Sequence, residues 1–287
     1  MVVPAPDAAP VLLGCDFSSS PTRQKPIVLA IGRLQNGRVL LSKLEQLSSL
    51  DAFADWLHQP GDWIGAFDFP FGLPRELVQH MNWPLAWEAC IRHYASLSRA
   101  DIRMRFAAFC AARPAGGKFA HRATDLPAGS SPSMKWVNPP VAYMLHAGVP
   151  CLLDAGVHLP GLHAGNQRDV NAAGQPRRVA LEGYPGLLAR EVLGKRSYKS
   201  DERAHQTPER LIARKDLLTA LEHGQTRLGL RLKLTHAQRD ALVDDARGDA
   251  LDAVLCLMQA AWAWRQGAPR YGLPASLDPL EGWIVTA

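Results

Sequence analysis

The chain predicts an α/β fold: a mixed five-stranded sheet, three antiparallel strands followed by parallel ones, flanked by helices and carrying a mainly helical insertion. Three observations lead there. Apolar runs of strand length crowd the segment from Val11 to Phe67. Two of those runs meet at Asn36-Gly37, the strongest short hairpin signal because both residues tolerate positive φ. From Pro74 onward, three- and four-residue apolar spacing takes over, interrupted by one further strand-like run, RRVALEGYP.

The elements follow in order. Residues 1–10, MVVPAPDAAP, are rich in Pro and Ala and read as a disordered leader, so one domain is expected over residues 11–287. VLLGCDF, IVLAIGRLQ and RVLLSKL form a three-stranded meander, a short helix covers about Leu50 to His58, and DWIGAFDFP is a fourth strand stopped by Pro70. An insertion spans about residues 74–176. It reads as helical from Pro74 to about Arg113, with Trp83, Trp87, Ile91 and Tyr94 on one stripe, then as a Gly/Pro/Ser-rich loop to Pro140, then as a short helix from Val141 to Ala147. After the strand RRVALEGYP come a helix from Gly186 to Leu193, a basic loop KRSYKSDER, a helix from Pro208 to Glu222 and a long helix from about His236 to Arg265. The tail EGWIVTA is a candidate edge strand.

Composition narrows the function classes. No apolar run is long and charge-free enough to span a bilayer, and the first ten residues lack the basic-then-apolar order of a signal peptide, so a cytoplasmic protein without membrane contact is expected. Five scattered cysteines make neither a disulfide framework nor a CxxC zinc site. The net charge of +5 is a mild bias toward anionic partners. Six basic residues against one acid between Arg99 and Arg122 form a positive stretch that faces either phosphates or plain solvent.

Acidic residues carry the chemical signal. Asp16, Asp68 and Glu182 each follow an apolar run and precede strand-breaking residues. In sheets with parallel central strands, ligands collect beyond the carboxyl ends of those strands, so these acids are candidates for one crevice. Asp249 and Asp252 open GDALDAVLCLMQAAWAW, a helix apolar almost all round and therefore buried, and their spacing puts both carboxylates on one face. Taken singly, Asp16 and Asp68 also read as turn acids and Asp249 as a helix-dipole acid. Together they call for a compensating cation, because converging carboxylates repel. An all-oxygen donor set points to two ions of Mg or Mn, which suit in-line phosphoryl displacement.

The segments GCDFSSSPT, FDFPFGLPR, HRATD, EGYPGLLAR, GDALDAVLC and EGWI resemble the domain-of-unknown-function family 429, regarded as predicted nucleases of the ribonuclease-H-like superfamily. The resemblance spans about Gly14 to Ile284. It implies a ribonuclease-H-like fold, with Asp16 as central ligand, Asp68 after the fourth strand and Asp249 with Asp252 as the helical pair. Glu182 fits the family motif, but resolvases of the superfamily place no ligand there, so it is expected to orient water or contact substrate.

Substrate-binding candidates are Arg122 and Asp125 in HRATD, Lys135 in the long loop, and Arg196, Tyr198 and Lys199 in KRSYKS, which supply cationic and hydroxyl donors for a phosphodiester. Trp136 and Tyr143 are candidates to stack on bases. The leading expectation is a metal-dependent nuclease with nucleic acid as partner. The alternatives are a small-molecule phosphotransferase or nucleotide hydrolase, suggested by the DFSSSPT loop, and a non-catalytic nucleic-acid-binding module. Oligomeric state is not legible.

Overall fold

Apolar runs whose central residues are buried on both faces set up the sheet. The structure, a computed structural model, describes residues 9–287; of the expected leader, residues 1–8 lie outside the described residues, and Ala9 and Pro10 precede the first strand without regular structure. Strands β1 (Val11–Asp16), β2 (Ile27–Gln35) and β3 (Arg38–Leu47) form the expected antiparallel meander. Its turn has Asn36 at φ 50° and Gly37 at φ 72°, the backbone that this pair was expected to adopt. Helix α1 (Leu50–His58), capped by the Ser49 side chain on the Ala52 amide, leads to β4 (Trp63–Phe67), which pairs parallel to β1.

Between β4 and the next strand lies the expected insertion. It holds α2 (Arg75–His80), α3 (Trp87–Ala95), α4 (Arg99–Ala111), α5 (Asp125–Ala128) and α6 (Val141–Asp154). The single helical stretch read over 74–113 is therefore three helices. Asn82 at φ 53° and Pro84 break the first junction, and Ser98 starts α4 with a capping box. Helix α6 runs past Ala147, through Gly148 and Pro150; Gly148 lets Phe69 lie against the helix, and the gain in packing outweighs the local breakers. Next come β5 (Arg178–Glu182), α7 (Pro185–Leu193), α8 (Pro208–His223), β6 (Arg231–Lys233), α9 (His236–Asp244) and α10 (Asp249–Gln266).

The result is an α/β architecture with a mixed sheet of six strands in the order β5-β4-β1-β2-β3-β6. Five strands were expected. The sixth, β6, is a three-residue parallel addition beside β3 whose Leu232 alone points inward, too short for an alternation signal. The tail read as an edge strand is instead a single bridge between Ile284 and Glu182. The long C-terminal helix is two helices, α9 and α10, because Gly248 at φ 75° turns the chain just before Asp249. No helix among the described residues is long and apolar enough to cross a membrane.

Each face of the sheet buries a core. On one side Leu12, Val28, Ile64, Ala66 and Leu181 pack under α7, α8 and α10; on the other Leu13, Cys15, Leu29, Phe67 and Ala180 pack against α1, α3 and α6. Helix α10 presses hardest on β1. A Cβ at Gly14 would overlap Ala253 O and Leu257 N, so only glycine allows the helix backbone to rest on the strand. That contact delivers the first turn of α10 to the carboxyl end of β1.

Candidate metal centre

Register decides which acids meet. Cys15 lies level with Phe67, and Phe67 with Glu182, on three neighbouring parallel strands. Asp16 and Asp68 each sit one residue further along, and the amide of Asp68 donates to Cys15 O at 2.9 Å, continuing the ladder. Side chains alternate faces, so Asp16 and Asp68 project with Leu12, Ile64 and Ala66 toward α10. Asp252, fully buried on α10, meets them there. One carboxylate oxygen from each of the three lies within 4.8 Å of the others. Three ligands of one octahedral ion with bonds of about 2.1 Å stand roughly 3.0–4.2 Å apart, so small side-chain movements would bring these oxygens onto one ion.

Glu182 is one residue out of step, and so it faces the opposite side of the sheet. There it meets Arg122, which donates to Oε2 at 2.7 Å and to Oε1 at 2.6 Å, while the Phe71 amide donates to Oε2 at 2.9 Å. Gly183 takes the place level with Asp68. The three strand-end acids thus line one cleft, as expected, but only Asp16 and Asp68 join Asp252, while Glu182 is turned to Arg122.

The cluster around Arg122 absorbs two of the expected substrate contacts. Arg122, 2% exposed, also binds Asp125 Oδ1 through Nε at 3.1 Å and Nη2 at 2.9 Å, and donates to Glu281 O at 3.1 Å. Glu281 accepts from the Arg75 and Ala123 amides, and Ile284 N donates to Thr124 Oγ1 at 3.0 Å. HRATD, EGYP and EGWI are therefore the three parts of one internal clasp joining the insertion, β5 and the tail. Burial holds the Glu182 carboxyl above its usual range despite the Arg122 guanidinium, which pulls the other way.

The remaining sequence candidates divide sharply. Lys199 Nζ donates to Asp252 Oδ2 and Tyr198 Oη to Asp252 Oδ1, so both sit at the triad. Arg196 is exposed at the rim of the same cleft and pairs with Asp216 at 2.6 Å. Lys135 does not line the cleft itself but donates to the main-chain oxygen of Asn138, which does, at 2.6 Å. Trp136 packs beside Phe119 at 5.6 Å, and the Tyr143 ring is covered by Arg99 at 5.0 Å, so neither is a free stacking platform. Of the basic stretch Arg99 to Arg122, its last residue alone reaches the cleft, and there it is already paired.

The triad floors a cleft of about 730 Å³. Its rim includes Lys25, Arg190, Arg196 and Arg247, with Ser18 and Ser19 following Asp16. Lys25, Arg190 and Arg247 escaped sequence reasoning because they are scattered in the chain, although Arg247 stands only two residues before Asp249. Gln259 was also missed. It is fully buried on α10, accepts from the Tyr184 amide at 2.9 Å and so ties the EGYP turn to the helix. A lone amide inside GDALDAVLCLMQ was the available signal.

Electrostatics inside the cleft favours a cation. Burial raises the pKa of Asp16 well above the usual carboxylate range, and Asp252 raises it further while Lys199 opposes. Asp68 is pushed up to about 7, again by burial first and Asp252 second. Asp249, 8% exposed, lines the cleft beside the triad, and its Oδ2 is buried with no hydrogen-bond partner; Arg247 Nε stands 3.7 Å from it. A buried carboxylate oxygen without a hydrogen bond, next to three crowded carboxylates, is costly, and a hard cation bound there would relieve it. The donors are all oxygens, which suits Mg or Mn.

No family model, no curated protein and no solved structure matches the chain, so geometry and chemistry are the ground for a functional reading.

Proposed function

We propose that the chain is a metal-dependent phosphodiesterase acting on nucleic acid, built on a ribonuclease-H-like core of the kind its motifs resemble. The observation that carries this reading is the convergence of Asp16, Asp68 and Asp252 within 4.8 Å, with a buried Asp249 oxygen that accepts no hydrogen bond beside them. The β-β-β-α-β order and the acid-bearing helix laid on β1 agree with it.

Asp16 and Asp68, presented by rigid strand ends, and Asp252, on a buried helix, would hold the first Mg or Mn ion, and Asp249 with Asp16 a second. Divalent ions, when bound, supply Lewis acidity and a water of lowered pKa at a phosphorus centre. Tyr198 orients the Asp252 carboxylate. Arg190 on the rim, and Arg196 and Lys25 by exchanging Asp216 and Asp201 for phosphate, would offer cationic donors to a phosphate backbone. Ser18 and Ser19 add hydroxyl donors at the same level.

The test is Mg- and Mn-dependent cleavage of single-stranded, duplex and branched oligonucleotides by wild type and Asp16→Asn. Cleavage lost in the variant supports the proposal; equal rates in both, or none on any substrate, refute it. One observation favours a second reading. The serine loop after Asp16 lines a cleft with room for a mononucleotide, as a nucleotide hydrolase or small-molecule phosphotransferase would require. Thermal stabilisation by ATP with metal, absent with oligonucleotides, selects that alternative.

A further inference from the structure

Both carboxylate oxygens of Asp252 are already taken, one by the Tyr198 hydroxyl and one by the Lys199 ammonium. Among the described residues, Lys199 is the one cation ion-paired with a triad carboxylate. Each of these oxygens keeps a further lone pair, so a divalent ion need not compete for the acceptor site, but its charge would repel the ammonium beside it and press on whichever donor is free to move.

The surroundings decide which one leaves. Tyr198 is 7% exposed and packed into the core below α8. The Lys199 side chain is 42% exposed and sits on a flexible four-carbon stem. Its main chain, by contrast, is pinned. Arg214 donates to Tyr198 O at 2.8 Å, Arg210 donates to Lys199 O at 2.8 Å, and Ser200 N donates to Ala246 O at 3.1 Å. A fixed pivot with a mobile charged head at the cleft wall can exchange positions without disturbing the fold. Turned away from Asp252, the ammonium enters the space lined by Arg196, Ser197 and Ser200.

We propose that Lys199 is a displaceable counter-ion: its ammonium holds Asp252 until a divalent ion takes that oxygen, and the freed side chain then swings into the cleft to meet the anionic group of the substrate. The inference rests on the metal-site reading above and adds an ordered exchange to it. Metal loading and substrate capture are thereby coupled, because the cation released by the first becomes a ligand for the second. The charge over Asp252 is never left uncompensated.

Calorimetry of the full chain with MgCl2 and MnCl2 tests the exchange, comparing wild type with Lys199→Met, which keeps the stem and removes the charge. With no ammonium to displace, the variant is expected to bind metal at least about tenfold more tightly, a difference of about 1.4 kcal/mol. It should also bind inorganic phosphate more weakly than wild type once Mg is present. A second measurement needs no variant. Amine labelling of wild type, read by mass spectrometry, should modify Lys199 faster in Mg than in EDTA. Equal or weaker metal affinity in Lys199→Met, or labelling indifferent to Mg, overturns the exchange and leaves the metal site standing. Absence of metal binding in both proteins overturns the metal site itself and leaves Lys199 a permanent ion pair.

Discussion

Replacing Asp68 with asparagine is expected to stabilise the metal-free protein at neutral pH. Folding moves this carboxyl from 3.8 to about 7, mainly through burial and secondly through Asp252. Between those two values the unfolded chain has released the proton while the folded protein retains it. The folded state then binds more protons, so stability falls as pH rises through this window and levels off above about 7. At about 1.36 kcal/mol per pH unit the full effect is on the order of 4 kcal/mol. Asp68 is partly exposed, and solvent screening should cut the measured value to about 1–3 kcal/mol. Urea denaturation in EDTA from pH 5 to pH 8 reads this directly: wild type should lose stability across the range, and Asp68→Asn should show a shallower slope and a higher midpoint at pH 7.5. Adding Mg should restore wild type far more than the variant. Parallel slopes for the two proteins would refute the claim that Asp68 is held in a repulsive, desolvated site.

Other perturbations separate the clasp from the cleft. Arg122→Met leaves Asp125 and Glu182 buried without their shared cation and should cost about 3–5 kcal/mol in chemical denaturation; a loss under about 1 kcal/mol would show that the network is dispensable. Gly14→Ala forces a methyl into the α10 backbone and should destabilise by about 3 kcal/mol or more while weakening metal binding, as helix and strand part; unchanged metal affinity would mean that Asp252 is not positioned by this contact. Arg196→Ala, at an exposed rim position, should alter stability by no more than about 0.5 kcal/mol yet raise KM for an oligonucleotide substrate; unchanged KM would remove Arg196 from substrate binding.

The sheet was largely legible because its signals are local. Asn36-Gly37, the apolar runs of strand length and the breaker Pro70 each act over a few residues. Helix boundaries in the insertion were less so, since Asn82 and Ser98 end and restart helices inside one continuous apolar stripe, while α6 continues through Pro150 because Gly148 lets Phe69 pack against it. The expected base-stacking aromatics illustrate the same limit. Trp136 has the composition of a binding residue, and only its neighbours Phe119 and Phe106 make it a packing residue.

From the sequence alone came the α/β class, the meander, the buried C-terminal helix and the carboxylates that could share a cation. These follow from periodicity and from the cost of burying charge, which any single segment expresses. Only the tertiary structure decided which acids share a site. Asp16 and Asp68 face α10 because they stand one residue beyond the level of Glu182, and in a strand one residue reverses the face. The same step sent Glu182 to Arg122 and left Asp252 to be held by Tyr198 and Lys199. Register is a relation between strands far apart in the chain, and no local pattern records it.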